Sequence, residues 1–392
     1  MAFNLEAIQA ELRRRGFDGW LLYDHHHRDP IAYRVLDLEA TMVTRRWYYF
    51  IPAAGAPRKL VHRIEAARLD ALPGEKNVYA AWSEQREKLK AILDGAKKVA
   101  MQYSPYNNIF TVSMVDAGTV ELVRSFGVEV VSSADLIQRF EACWTPEQYE
   151  MHREAGRRVD EVMLQSFARI AAHVRDGKPL SEYALQQWIL EQFAARGLTT
   201  DEPPIVAWNQ HSGDPHFSPR AEDTRSAQKG DWVLLDMWAK LAKPRAVFYD
   251  ITWVGYVGSE TPARYQEIFT IVREARDAAC RFAAQALARG EIVYGYQVDD
   301  AARNLIRQRG YGDYFVHRTG HSIGEQVHST GANMDNLETH DERELVPGLC
   351  FSVEPGIYLP EFGVRSEVNV FVGENSATIT GPAQKEIVRI LS

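Results

Sequence analysis

Cysteine is scarce in this chain: Cys143, Cys280 and Cys350 are the only three among 392 residues, and no two share a CxxC spacing. A disulfide framework or a thiolate zinc site is therefore not expected, and the pattern fits a reducing compartment. Positive charge is also in deficit, since 45 Lys and Arg face 53 Asp and Glu. Nucleic acid is accordingly not expected as a partner, because binding phosphate needs a basic face.

Long apolar runs are missing as well. No segment approaches the roughly 20 consecutive apolar residues that a membrane span needs. Glu6 and Glu11 interrupt the first residues of the chain, so the apolar core of a signal peptide is not expected there. The composition, 45% hydrophobic and 25% charged, is that of an ordinary globular protein. These features predict a cytoplasmic protein with no membrane partner.

The N-terminal part alternates helical and strand-like patterns. Leu5, Ile8 and Leu12 share one helical face, and Gly16 stands where that helix would end. Strand-like segments occur at 19–23, 45–52, 58–63, 97–103 and 128–133. The second and third of these segments, joined by the sequence AAGAP, predict a hairpin. The alternation predicts an α/β domain over residues 1–142.

The C-terminal part opens with a clear helix start. Thr145 suits an N-cap, Pro146 suits the first helical position, and Gln148 can close a capping box. Helical patterns continue to about 174 and recur at 182–196, 262–288 and 297–309, with strand pairs at 231–239 with 246–256 and 349–358 with 363–372. This grouping predicts an α+β domain over residues 143–392.

Four carboxylates lie inside these apolar strand pairs. Asp236 ends DWVLLD, and Asp250 follows 14 residues later in FYDITW. Glu354 lies in CFSVEP, and Glu367 follows 13 residues later in VRSE. A buried carboxylate without a partner is costly, so any one of them alone is most simply a salt-bridged or hydrogen-bonded acid. Four in two matched hairpins favour a metal site instead.

The segment HRTGHSIGEQVH supplies imidazoles. It holds His317, His321 and His328, and Gly320 and Gly324 flank the second of these, where glycine permits tight turns and close backbone approach. One imidazole among several carboxylates makes an oxygen-rich site that suits Mn²⁺, Co²⁺, Fe²⁺ or Zn²⁺. Four carboxylates balance two divalent ions, and two ions about 3.5–4 Å apart can share a hydroxide nucleophile.

Six motifs in order carry a family resemblance. They are PHFSP with His216, GDWVLLD with Asp236, YDIT with Asp250, HRTGHSIGEQVH with His321 and His328, SVEPGIY with Glu354, and VRSE with Glu367. Together they resemble the creatinase/prolidase/methionine-aminopeptidase superfamily of pita-bread metallopeptidases, and are most similar to its proline-specific branch. The resemblance covers residues 145–392 and extends more loosely to the N-terminal part. It implies a pita-bread catalytic domain after a prolidase-type accessory domain, and a homodimer.

The resemblance also implies roles for these positions. Asp236, Asp250 and Glu367 would hold one metal ion, and Asp250, His321, Glu354 and Glu367 would hold the other. The ions would be Mn²⁺, with Co²⁺ or Zn²⁺ as alternatives. Glu354 would also move a proton to the leaving nitrogen. His216 and His328 would contact the scissile amide. Arg365 shares a strand face with Glu367, because side chains repeat every two residues along a strand, and it would orient Glu367 or meet a substrate carboxylate.

The implied reaction is hydrolysis of Xaa-Pro bonds in small peptides with proline at the second position, by a dipeptidase. One alternative is an aminopeptidase P that acts on longer peptides. Others are a metal-free creatinase-like enzyme, a non-catalytic binding module, and a hydrolase for a non-peptide amide. Three departures from the family pattern bear on the expected shape of the pocket, and none removes a ligand. Trp238 stands where the family commonly has glycine, Trp253 stands where it has arginine, and the loop between the two aspartates is slightly longer.

Two further patterns carry hypotheses. Residues 320–324 match the G-x-S-x-G serine elbow, which would make Ser322 a nucleophile, but no good helix pattern follows. The long charged segment 25–46 lies between two strands and could cover the site, even that of a partner subunit. Arg45 or Arg46 would then bind the substrate's C-terminal carboxylate.

Overall fold

A computed structural model describes residues 3–39 and 41–392. The chain divides into two compact units, Met1–Glu141 and Ala142–Ser392. Within the described residues, no helix has both the length and the apolar content to cross a membrane.

The first unit is built on a six-stranded mixed sheet with strand order β4-β3-β2-β1-β5-β6. Its elements are α1 (Leu5–Arg15), β1 (Gly19–Asp24), α2 (Pro30–Leu36), β2 (Trp47–Pro52), β3 (Arg58–His62), β4 (Glu75–Tyr79), α3 (Trp82–Ile92), β5 (Lys98–Met101), α4 (Ala117–Arg124), β6 (Glu129–Ser132) and α5 (Ala134–Ile137). Strands β1–β2 and β2–β3 pair antiparallel, while the other neighbours are parallel. The predicted α/β class is confirmed.

Alternation along β1 explains why helices cover both faces of this sheet. Trp20 and Leu22 pack in one cluster with α1 and α2, whereas Leu21 and Tyr23 pack in another with α3 and α4. Successive strand residues point to opposite faces, so an all-buried strand requires cover on both sides. The sequence patterns missed β4 and α3, because β4 reads EKNVY and has mostly polar side chains.

The sequence of segment 25–46 suggested a long loop without regular structure, but the structure contains a helix there. This helix is α2, whose N-cap Asp29 accepts a hydrogen bond from Ala32 N at 2.9 Å. Ala40 lies outside the described residues. Whether the segment covers a site stays a prediction.

Among the described residues, the second unit contains four α-helices and three sheets. Its elements are α6 (Pro146–Arg175), α7 (Glu182–Ala195), β7 (Leu198–Thr199), β8 (Ile205–Trp208), β9 (Trp232–Leu241), β10 (Tyr249–Tyr256), α8 (Ala263–Ala288), α9 (Gly295–Gln308), β11 (Cys350–Val353), β12 (Gly356–Tyr358), β13 (Gly363–Arg365), β14 (Val368–Gly373), β15 (Ser376–Ile379) and β16 (Val388–Arg389). Helix α6 begins with the predicted capping box of Thr145 and Gln148. The sheets are the five-stranded β16-β10-β9-β7 with β8 on β9, the three-stranded β11-β14-β15, and the two-stranded β12-β13.

The two faces of β9 point into different cores. Val233 and Leu235 pack with α6 and α7. Trp232 and Leu234 pack with α8, α9 and the β11–β14 strands. The even-numbered residues of β9 therefore face the second half of this unit, and Asp236 lies on that face.

The second predicted hairpin, 349–358 with 363–372, is interrupted. It consists of β11 paired with β14, and β12 paired with β13. The register is continuous across the interruption, since Val353 opposes Val368 and Gly356 opposes Arg365. Proline at 355 has no N–H to give a ladder, which accounts for a break at this point.

Candidate metal centre

All eight residues singled out in the sequence line one cavity of about 490 Å³ in the second unit. They are Asp236, Asp250, His321, Glu354, Glu367, His216, His328 and Arg365. The structure thus brings together side chains from all six motifs that carry the family resemblance.

The first carboxylate pair is placed by the β9–β10 register. Asp236 opposes Thr252, and Asp250 opposes Trp238. Directly opposed residues share a face of the sheet, and so do residues two apart on a strand. Asp236 and Asp250 are therefore diagonal neighbours on the face that looks into the cavity.

The second pair lies in the interruption of the β11–β14 hairpin. Continuing the register of Val353 with Val368 sets Glu354 opposite Glu367. Both residues lie between the two paired segments, and directly opposed residues share a face, so the two side chains lie on the same side of the hairpin. The interruption that the sequence pattern missed is thus the place that carries both glutamates.

The imidazole of His321 reaches the carboxylates because its backbone lies against β11. His321 N donates to Ser352 Oγ at 2.9 Å, and Ser352 N donates to His321 O at 2.8 Å. Its Nε2 then lies 3.3 Å from Glu354 Oε1 and 3.5 Å from Asp250 Oδ2. The preceding Gly320 permits this approach, because a Cβ there would lie 1.9 Å from Ser352 O.

The chemistry of the donors fits divalent cations. One ligand atom from each of Asp250, His321 and Glu367 lies within 4.8 Å of the others. Asp236 Oδ1 and Glu367 Oε1 are buried, and neither has a hydrogen-bond partner among the residues that the structure describes. Buried acceptors without a partner are costly, so orphaned carboxylate oxygens directed at a shared cavity are what a hard cation requires.

Crowding of the carboxylates is also visible in their electrostatics. Burial, followed by repulsion from neighbouring carboxylates, raises the pKa of Asp250 and of Glu367 well above their usual values. Burial is likewise the largest cause that raises the pKa of Glu354 to about 7. A divalent ion would reverse this cost by favouring the charged forms.

Arg365 contacts a different carboxylate from the one that its position on the strand suggested. Its guanidinium bonds to Asp236 Oδ2, and its other donors reach Tyr358 Oη at 2.7 Å and Thr252 Oγ1 at 3.1 Å. Glu367 instead accepts a hydrogen bond from Thr252 Oγ1 at 2.9 Å. Arg365 therefore holds Asp236 directly and reaches Glu367 only through the hydroxyl of Thr252. Its contact with a substrate carboxylate stays a prediction.

The two accessory histidines both line the cavity. His216 is exposed on the loop after β8, where its backbone N–H donates to Asp214 Oδ1 at 3.0 Å. The ring of His328 lies edge-on to that of His321, with centroids 4.3 Å apart.

Sequence reasoning missed several cavity residues. Arg318 lines the cavity, and within the described residues no carboxylate lies in salt-bridge distance of its guanidinium. His317 bonds to Tyr358 Oη at 2.7 Å, and burial lowers its pKa to about 3. The acids Asp201, Glu202 and Glu338 also line the cavity. Arg318 and His317 lie within the motif HRTGHSIGEQVH, whereas the three acids lie in loops and follow no sequence pattern.

The serine-nucleophile hypothesis lacks its structural context. Ser322 is buried, is not among the cavity-lining residues, and is not followed by a helix. The two tryptophans that depart from the family pattern also differ in consequence. Trp238 lines the cavity, whereas Trp253 packs on the opposite face of the sheet among the side chains of α6 and α7.

Residues 150–374 match the profile of metallopeptidase family M24, and the chain belongs to that family. It is therefore a peptidase, a hydrolase of a family that uses divalent metal ions. The resemblance to the proline-specific branch is confirmed.

Named relatives and solved structures agree with this assignment. The chain is 29% identical over 344 residues to the probable dipeptidase PepE of Mycobacterium tuberculosis, which covers 86% of this chain and 84% of the relative. It is 30% identical over 256 residues to the Xaa-Pro dipeptidase of Pyrococcus furiosus, covering 65% of this chain and 67% of the relative. Dipeptidase PepE from Mycobacterium ulcerans matches in structure with a TM-score of 0.72 at 25% identity, over 98% of this chain and 96% of the other.

Proposed function

We propose that this chain is an Xaa-Pro dipeptidase that holds two divalent ions, of which Mn²⁺ is our first choice. The observation that carries the proposal is the convergence of Asp236, Asp250, His321, Glu354 and Glu367 on one cavity, with two buried carboxylate oxygens left without partners. The names of the relatives supply the substrate class, since the five side chains do not encode a preference for proline.

Asp236, Asp250 and Glu367 would hold one ion, while Asp250, His321, Glu354 and Glu367 would hold the other. Divalent ions in such a site polarise the scissile carbonyl and activate water. The chain's own side chains orient the ligands and transfer the proton. Arg365 fixes Asp236 through a charge-assisted hydrogen bond, which leaves its other oxygen free for a ligand.

Proton transfer falls to Glu354. Its carboxyl lies beside His321 and accepts a hydrogen bond from Ser352 Oγ at 3.1 Å. That bond holds Oε1, while Oε2 lies 3.9 Å from Arg365 Nε. A positioned carboxyl can take a proton from water and return it to the leaving proline nitrogen. His216 and His328, on the cavity wall, would hydrogen-bond the scissile amide.

The charges of the cavity wall favour a dipeptide. A dipeptide carries an ammonium and a carboxylate only two residues apart. Arg318 offers a guanidinium without a carboxylate partner among the described residues, and Asp201, Glu202 and Glu338 offer negative charge in the same cavity. The guanidinium suits the C-terminal carboxylate and the acids suit the ammonium.

Turnover of matched peptides tests the proposal. We expect Leu-Pro to be cleaved with a kcat/KM at least about tenfold above that of Leu-Pro-NH₂ and of Leu-Pro-Gly, since one lost charge-assisted bond costs roughly 1.5–3 kcal/mol. We also expect exhaustive chelation to abolish activity and Mn²⁺ to restore it. Faster turnover of the tripeptide would establish an aminopeptidase P instead. Activity that survives chelation would exclude the metal mechanism.

We further propose that the protein is a homodimer in the cytoplasm, as its family resemblance and composition suggest. Light scattering coupled to size-exclusion chromatography tests the first point. A mass near 44.5 kDa, that of one chain, would contradict it.

A further inference from the structure

Along much of the outer edge of β10, side chains rather than a neighbouring strand make the hydrogen bonds to the backbone. Strand β9 pairs with the other edge from Tyr249 to Tyr256. On the outer edge, the carboxamide of Asn369 accepts a hydrogen bond from Asp250 N at 3.0 Å and donates one to Asp250 O at 2.6 Å. The carboxamide of Gln384 makes the same pair of bonds to Val254, at 3.0 Å and 2.7 Å. Each amide reproduces the paired bonds that a neighbouring antiparallel strand would make.

Asn369 connects the sheet that carries Asp236 and Asp250 with the hairpin that carries Glu354 and Glu367. It lies on β14 and is buried, with 1% of its surface exposed. Strands β10 and β14 belong to different sheets. Glu367, two residues before Asn369, also bonds to β10: its N–H donates to Thr252 O at 3.2 Å, and its Oε2 accepts from Thr252 Oγ1 at 2.9 Å. The contact between these sheets is therefore made by hydrogen bonds at the metal centre itself.

We propose that Asn369 is a positioning residue for the metal centre, whose amide holds the backbone of Asp250 in register with Glu367. The inference rests on the proposed function. Like-charged groups that crowd in a buried site repel one another, so the sheet and the hairpin that carry them would relax apart unless they are tied together. Asn369 makes that tie at a ligand residue without itself reaching a ligand atom. The amide thus fixes the ligand spacing before ions bind.

Gln384 provides a matched control. It makes an equivalent pair of bonds on the same edge of the same strand, and it is buried to the same degree. Its partner Val254 lies four residues beyond Asp250, roughly 13 Å along the strand. Gln384 does not line the cavity. Replacing it removes the same pair of bonds, together with a further bond from Gln384 Nε2 to Glu386 O at 3.0 Å, without touching the ligand residues.

The experiment compares Asn369→Ala with Gln384→Ala. A third variant, Asn369→Thr, has a side chain that favours strands and so keeps a folded variant available, but it cannot make both hydrogen bonds to Asp250. Metal-free proteins are titrated with Mn²⁺ by calorimetry, their melting temperatures are measured without metal, and kcat and KM are measured on Leu-Pro at saturating Mn²⁺. We expect both alanine variants to melt at similarly lowered temperatures. Only the Asn369 variants should lose about 10- to 100-fold in Mn²⁺ affinity, with kcat lowered more than KM is raised.

A purely structural role would give a different result. Wild-type Mn²⁺ affinity in the folded Asn369 variants, or equal losses of affinity in the Asn369 and Gln384 variants, would overturn the inference. If the wild-type protein binds no divalent ion, the proposed function fails, and that outcome is distinguishable because it does not depend on any variant.

Discussion

At the scale of single residues, the four strand carboxylates differ in what holds them. Asp236 is held by Arg365, Glu367 by Thr252, and Glu354 by Ser352. Asp250 is held through its backbone by Asn369. Each carboxylate is thus oriented by a group that keeps it in place, as is typical of metal ligands whose outer partners fix their geometry.

Replacing Glu354 by Gln should separate charge from shape at the site. The amide keeps the volume but cannot accept and return a proton, so we expect kcat on Leu-Pro to fall by about 10²–10⁴-fold. Mn²⁺ calorimetry on the same protein shows how much of the loss comes from weaker metal binding.

Ser322→Ala is the control for that experiment. Ser322 Oγ is buried and has no hydrogen-bond partner in the described part of the chain, so its removal should leave both activity and stability close to wild type. A large loss of activity in Ser322→Ala, with Glu354→Gln still active, would revive the serine mechanism.

His152 should make stability depend on pH. It is fully buried between Phe248 O and Thr380 Oγ1, each at 2.7 Å, and burial lowers its pKa from 6.5 to about 4. Between these two values the unfolded chain binds a proton that the folded chain does not, so stability is lost as pH falls through this window. From pH 7 to pH 5 the loss amounts to about 2 kcal/mol from this one group.

The measurement is the free energy of unfolding of wild type and His152→Asn at both pH values, in the absence of metal. Groups common to both proteins cancel in the difference. The wild type should lose more stability than the variant on acidification. Parallel pH profiles would show that His152 does not carry this effect.

At the scale of elements, the alternation of residues along the strands explains where the carboxylates lie better than the predicted strand boundaries do. The β9–β10 pair was predicted from its apolar pattern, and its register then places Asp236 and Asp250 on one face. The β11–β14 hairpin was predicted as two long strands, but it breaks around Pro355. The break could not be inferred from hydrophobicity, because Glu354 and Pro355 are flanked by apolar residues on both sides.

Gly320→Ala should disturb the element that presents His321. A Cβ at this position would lie 1.9 Å from Ser352 O, and the backbone of Gly320 is also bonded to Met334 on its other side. Because neither neighbour is a flexible side chain end, we expect a loss of stability of about 1–3 kcal/mol. We also expect weaker Mn²⁺ binding, since His321 must move with its backbone.

Gly118→Ala is a suitable control for this prediction. Gly118 lies in helix α4 of the other unit, and an added Cβ would meet only a side-chain oxygen of Asp116, at 3.3 Å. Denaturant unfolding and Mn²⁺ calorimetry on both variants check the prediction. Unchanged Mn²⁺ affinity in Gly320→Ala would contradict the importance of this close approach.

At the scale of the whole molecule, every residue proposed to hold metal lies in the second unit, Ala142–Ser392. The first unit is an α/β layer structure with hydrophobic clusters on both faces of its sheet. Its overall class followed from the sequence, although β4 and α3 did not. Strand β4 is an edge strand with mostly polar side chains, so its sequence lacks the apolar pattern that indicates a strand. Helix α3 begins without a side-chain cap, so its sequence lacks a clear helix start.

The sequence by itself determined which residues could carry the chemistry and which family the chain resembles. Acidic residues inside apolar strand pairs are costly enough to need a reason, and motif order is read directly from the chain. Only the tertiary structure decided that Arg365 holds Asp236, that Arg318 lines the cavity, and that Asn369 ties β14 to Asp250. These partners are separated by long stretches of sequence. Strand register and the packing of separate sheets bring them together, and local patterns do not encode either.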